Sequence, residues 1–237
     1  MKGIMSAFAV GLVLLAVSPV PASVTVNYDL GTTNLTTALT GYGTYGGMMD
    51  GMKVTAYFLG GTQQSVTWAN TGSYVAGQAV GTGWSLYESG DTFGGNWILS
   101  NSTGQGISRL LIDAGPGNTV YDTTRIGDVG GTPGSERGWS FQVVSQPTGL
   151  DIVATYRDAV ALTGFDPVGD LFRYLDIEFT STGGFASGGQ LKYITDTDNI
   201  KFAGDLGPVP EPTTLLVWSG LGAVGLAAAW RRRKRVA

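Results

Sequence analysis

The sequence predicts an all-β fold, an antiparallel β-sandwich or jelly roll, held between two terminal segments that lie outside it. Three observations predict this. Short runs alternating apolar and polar residues recur through the interior of the chain, and period two is the signature of a strand with one buried face. Clusters of Gly, Asn, Asp, Ser and Thr separate the runs, and glycine supplies 38 of 237 residues, where roughly 7% is usual. No interior segment carries an apolar stripe of useful length at helical spacing; 157–162 is too short. Many short strands joined by turn chemistry make a sandwich.

In chain order, Lys2 and the apolar run 4–17 come first, followed by Ser18-Pro19-Val20-Pro21-Ala22. Small residues at 20 and 22 suit cleavage after Ala22, so 1–22 reads as a secretory signal peptide. The run is shorter than the ~20 residues that span a bilayer. The ectodomain is 23–201. Its strand-like runs are 24–28, 53–58, 65–68, 83–87, 96–99, 108–112, 119–121, 139–144, 151–156, 171–179 and 190–194. In 171–179, Leu175, Ile177 and Phe179 share one side while Asp176 and Glu178 share the other. Glycine-rich 41–47 and 130–134 lack a phosphate-loop lysine and a following helix, and read as turns. No fixed repeat points to a solenoid or propeller. Residues 202–212, rich in Gly and Pro, read as a linker.

Residues 213–230 contain no charge. As a helix they would be about 27 Å long, close to one hydrocarbon core, with Trp218 and Trp230 placed as belt residues. Arg231, Arg232, Arg233, Lys234 and Arg235 follow at once. A basic cluster beside an apolar span stays cytoplasmic. The reading is a single transmembrane helix with a cytoplasmic tail, 231–237, and an external body.

Composition removes whole classes of chemistry. Histidine and cysteine are both absent. That excludes a Ser-His-Asp triad, a Cys-His dyad, a Cys/His zinc site and any disulfide. The lysines Lys53, Lys192 and Lys201 stand in no Ser-x-x-Lys spacing, so serine has no evident activating base. Residues 23–208 hold eight basic and seventeen acidic residues, a net of −9. Such a surface repels phosphate backbones, so nucleic acid is not an expected partner.

The segment Val209-Pro210-Glu211-Pro212, the apolar span and the arginine-rich end together resemble the PEP-CTERM sorting signal. Pro210, Glu211 and Pro212 carry the motif, with 213–230 as its helix and Arg231 to Arg235 as its cluster. The resemblance implies an exported protein of an exopolysaccharide-making Gram-negative cell. It implies that the chain is a substrate, first of signal peptidase and then of an exosortase, a membrane-embedded transpeptidase-like cysteine protease. The implied route is inner-membrane anchoring before processing, then the cell surface or extracellular matrix. Proline fixes φ and restricts its predecessor, which keeps this stretch extended and fit for a protease cleft. Parts of the body also look like the β-rich body of some PEP-CTERM proteins: 89–93, 97–101, 107–113, 120–122, 167–172 and Asp196-Thr197-Asp198-Asn199. That likeness implies an extracellular sandwich without an assigned activity.

Asp196, Asp198 and Asn199 are the candidate metal ligands. Alternating acids bring hard oxygens together, which suits Ca²⁺, with Asp122, Asp128, Asp166 and Asp170 as further donors from other loops. The other reading is a polar turn after strand 190–194. Asp176 and Glu178 are the candidate carboxylate pair, some 6.5–7 Å apart on one strand face, a separation that can suit glycoside hydrolysis. A solvated outer face explains them as well. Trp68, Trp84, Trp97, Trp139, Tyr42, Tyr45 and Tyr87 either stack on sugars or fill the core; Tyr42 and Tyr45, in a glycine-rich loop, are the ones expected at the surface. The expectation is a non-enzymatic surface or matrix protein, structural or adhesive in exopolysaccharide. The alternative is a lectin-like module, Ca²⁺-dependent or not.

Overall fold

A computed structural model of the chain describes residues 22–41, 43–123, 131–135, 137–201 and 207–208. The signal segment, the apolar span 213–230 and the basic cluster lie outside the described residues. No helix among the described residues is long and apolar enough to cross a membrane.

The strands are β1 (Val24–Asp29), β2 (Asn34–Thr36), β3 (Leu39–Gly41), β4 (Lys53–Phe58), β5 (Gln63–Thr67), β6 (Ala69–Ser73), β7 (Ala76–Gly81), β8 (Trp84–Ser89) and β9 (Asn96–Asn101). They continue with β10 (Ile107–Asp113), β11 (Thr119–Asp122), β12 (Gln142–Ser145), β13 (Ile152–Leu162), β14 (Leu171–Phe179), β15 (Gln190–Ile194), β16 (Asp196–Ile200) and β17 (Gly207–Pro208). Two 3₁₀ turns, Gly46–Met49 and Gly115–Gly117, complete the described elements. One sheet runs β12-β15-β9-β8-β7-β6. The larger sheet runs β17-β2-β13-β14-β10-β4-β5, with β1, β11, β16 and β3 attached beside this path. The fold class is all-β, as the periodicity predicts.

The inner faces meet in one core. β4 contributes Val54, Ala56 and Phe58; β10 contributes Leu110 and Ile112; β14 contributes Leu175, Ile177 and Phe179; β9 contributes Trp97 and Leu99. These are the alternate positions of each strand. Trp97 stacks on Tyr193 at 6.0 Å and tilts against Trp68 at 5.3 Å, while Phe141 lies 4.8 Å from Tyr193. Each such side chain, fully buried, adds roughly 1.5–3 kcal/mol.

Long strands let the large sheet branch. β14 pairs with β10 through Tyr174 to Glu178 and with β11 through Leu171 and Phe172. β13 pairs with β14 on one side, and on the other with β1 and then β2. The hand-over falls at Asp158, whose φ is 60°. Few side chains sit there, and Asp is one that does. Its Oδ1 accepts from the Thr32 N–H at 3.2 Å, between the two pairings.

The structure corrects several expectations. β1 and β2 run parallel to β13, unlike the antiparallel remainder; more than a hundred residues separate the partners, which leaves room for the long crossover a parallel pair needs. The strand expected over 151–156 runs on to Leu162. The strand expected over 139–144 begins only at Gln142. Before it, the Trp139 carbonyl accepts from Asp196 and the Phe141 N–H donates to the Tyr156 hydroxyl. Residues 196–199 are not a turn. β15 ends in the small sheet, Thr195 alone crosses over, and β16 joins the large sheet with all five residues buried. Within the expected linker, Gly207 and Pro208 pair with Leu35 and Asn34. Proline is tolerated there because the strand is an edge.

Candidate functional site

β16 pairs antiparallel with β11, setting Asp122 opposite Asp196 and Val120 opposite Asp198. Strand alternation places Asp196 and Asp198 on one side. Carboxylate oxygens of Asp122, Asp196 and Asp198 lie within 4.8 Å of one another, and all three residues are 0% exposed. Thr92, from the β8–β9 turn, donates its hydroxyl to Asp196 Oδ1 at 2.9 Å, and the Thr197 N–H donates to the same oxygen at 2.9 Å. Ser135 donates to Asp122 Oδ2 at 2.8 Å. The Ser135 hydroxyl also favours the ionised form of Asp198. It has one proton, however, and that proton serves Asp122. Among the described residues, Asp196 Oδ2 and both Asp198 oxygens have no hydrogen-bond partner.

A fourth carboxylate stands at the margin. Asp170 accepts from Thr132 N–H and hydroxyl at 2.5 and 2.7 Å, while its carbonyl receives Thr123. Gly138 presses against Asp122 so closely that a Cβ would collide with the carboxylate and with the Asp122 carbonyl. Burial pushes the Asp196 carboxyl up to about 8, with Asp198 and Asp122 adding to the rise. Burial also pushes Asp198 up to about 7, helped by Asp122, Asp170 and Asp91. Asp91 lies in the wall of an open depression of about 550 Å³, with Gly90, Phe93 and Asn96. Nearby, Glu88 is fully buried at the end of the inner row Trp84, Leu86, Glu88. Desolvation first, and Asp91 second, raise its carboxyl to about 8.

The chain therefore brings together two of the three expected ligands, Asp196 and Asp198, with Asp122 as the third. Asn199 does not join them: it lies one residue out of phase, and its Nδ2 donates to the Gly43 carbonyl at 3.4 Å. Asp166 is exposed, and Asp128 lies outside the described residues. The donor set is all oxygen, which suits a hard cation.

The carboxylate pair Asp176 and Glu178 is split. Arg109 forks onto both Asp176 oxygens at 2.6 Å, and Arg157 reaches Asp176 Oδ2 at 3.2 Å. Asp176 is buried and held, and only Glu178 is exposed. The "solvated face" reading fails for Asp176 because β10 and β13 flank it with arginines. Arg173 forks likewise onto Asp113. Among the aromatics, Trp68, Trp84 and Trp97 belong to the core, and Trp139 and Tyr87 are half-buried. Tyr45 is half-buried edge-on against Tyr74 at 5.4 Å, and Tyr42 lies outside the described residues.

At the other end of the chain, a family model described as the PEP-CTERM protein-sorting motif matches residues 208–234. The chain carries a PEP-CTERM sorting signal. The match takes in Pro210, Glu211, Pro212, the apolar span and Arg231 to Lys234, and stops one residue short of Arg235. This PEP-CTERM signal marks the protein for export and for surface sorting by an exosortase system. It begins at Pro208, where the edge strand β17 pairs with β2. Neither the curated proteins nor the solved structures include a significant match.

Sequence reasoning singled out Asp196 and Asp198 by spacing. Asp122 it offered only as one of several loop donors, since its place opposite Asp196 depends on a pairing across more than seventy residues. Glu88, Thr92 and Ser135 it missed, and no local signal marks them.

Proposed function

We propose that the protein is a non-enzymatic component of the cell surface or extracellular matrix, structural or adhesive in an exopolysaccharide. The observation that carries this reading is the PEP-CTERM signal at 208–234 following a β body. The body supports it in kind. It has a broad core between two sheets with buried aromatic stacking, which suits a structural role. The absence of histidine and cysteine from the sequence leaves no imidazole or thiol for catalysis. Signal peptidase removes 1–22 and an exosortase acts at the Pro210-Glu211-Pro212 region. The apolar span holds the chain in the inner membrane until then.

Intact mass spectrometry of the protein from its own cells, fraction by fraction, tests this. Loss of 1–22 and of everything beyond the Pro-Glu-Pro region, in surface or matrix fractions, is the expected result. A full-length tail found only in the inner membrane overturns both the sorting step and the matrix role.

A further inference from the structure

Acidic side chains often gather on protein surfaces without an ion. The group between β11 and β16 differs because it is closed from solvent and incompletely satisfied. Asp198 is 0% exposed, points into the group, and has neither oxygen hydrogen-bonded among the described residues. Asp196 is equally buried, and its Oδ2 has no partner among the described residues. Buried polar atoms without partners are rare, and each one costs stability. The ion pairs of Arg109, Arg157 and Arg173 are made with Asp176 and Asp113 instead.

We propose that Asp122, Asp196 and Asp198 bind one Ca²⁺ between β11 and β16. Ca²⁺ takes oxygen ligands at roughly 2.3–2.6 Å, so two ligands on one ion are at most about 5 Å apart. The three carboxylates satisfy that limit, with oxygens within 4.8 Å of one another. Mg²⁺ dehydrates reluctantly and usually keeps several waters rather than entering an all-protein cage, so three carboxylates closed from solvent favour the larger ion. Bound there, the cation supplies the unpaired oxygens of Asp196 and Asp198 with a partner. It fastens β16 onto β11.

The test is calorimetric titration and thermal melting of the purified full-length chain, stripped with EDTA, using CaCl₂ or MgCl₂. One equivalent of Ca²⁺ binds and raises Tm, and Mg²⁺ binds at least tenfold more weakly. Asp198→Asn lowers Ca²⁺ affinity at least tenfold, while Asp166→Asn, at an exposed acid elsewhere, leaves it unchanged. If Asp198→Asn does not fold, Asp196→Asn replaces it. No heat and no Tm shift with the parent chain overturn the proposal. So does Ca²⁺ binding that survives Asp198→Asn and Asp196→Asn, or Mg²⁺ binding as tight as Ca²⁺.

Discussion

Asp122 and Asp196 face each other directly across the β11–β16 ladder, two carboxylates on opposed strands with Asp198 beside them and none of the three reached by solvent. Like charges placed opposite in a ladder repel, and burial strengthens the repulsion. Asp196→Asn removes one charge and keeps an oxygen for Thr92. In EDTA at pH 8.5 it is expected to melt at a higher temperature than the parent, with the order reversed in excess Ca²⁺. A lower Tm than the parent in both buffers would show that the carboxylates do not strain the fold.

Glu88 gives the fold a pH dependence of definite sign. Unfolded, its carboxyl loses its proton near 4.5; folded, it keeps it to about 8. Between those values the folded state binds more protons, so stability falls as pH rises. The slope from this one group is about 1.4 kcal/mol per pH unit at most. Glu88→Gln carries no such proton. Urea titrations at pH 5, 7 and 9 should show the parent losing stability across the series more steeply than the variant, which is the more stable of the two at pH 9. Parallel curves would place Glu88 in contact with water.

The acids of the Asp176-Ile177-Glu178 stretch should separate in experiment. Asp176 is forked by Arg109, whose side chain is 30% exposed. Asp176→Asn is expected to cost roughly 1–3 kcal/mol, as charge-assisted hydrogen bonds do. Glu178→Gln should stay within about 0.5 kcal/mol of the parent, as surface changes do. Denaturant midpoints decide this, and equal effects at both positions would mean that the arginine fork contributes nothing.

Gly138 leaves room for Asp122, and any Cβ there meets the carboxylate and its carbonyl. Gly138→Ala should destabilise the body by roughly 1–3 kcal/mol, as overpacking does. Gly94 has open space around its Cβ position. Gly94→Ala is expected to be neutral or mildly stabilising, through the lower entropy of the unfolded chain. Thermal melts of the two variants compare them directly, and a neutral Gly138→Ala would show that the segment next to Asp122 shifts freely.

The β class was legible in the sequence because alternation is local. The row Leu175, Ile177, Phe179 announces a buried face wherever that strand is placed, and the structure buries it. The sorting signal was legible for a related reason: Pro210-Glu211-Pro212, an uncharged span and an arginine cluster lie end to end in the chain. Polar strands escaped notice. β6 and β7 carry little apolar alternation, and β16 reads Asp-Thr-Asp-Asn-Ile, the composition of a turn.

The tertiary structure decided what that composition could not. Thr195 carries the chain from one sheet to the other in a single residue. This drives four polar side chains into the interior against β11 rather than out into water. The partners of Asp196 and Asp176 were settled in the same way, by ladders joining segments tens of residues apart. Composition and periodicity are properties of neighbours in sequence. Which carboxylates meet a cation, an arginine or one another is a property of neighbours in space.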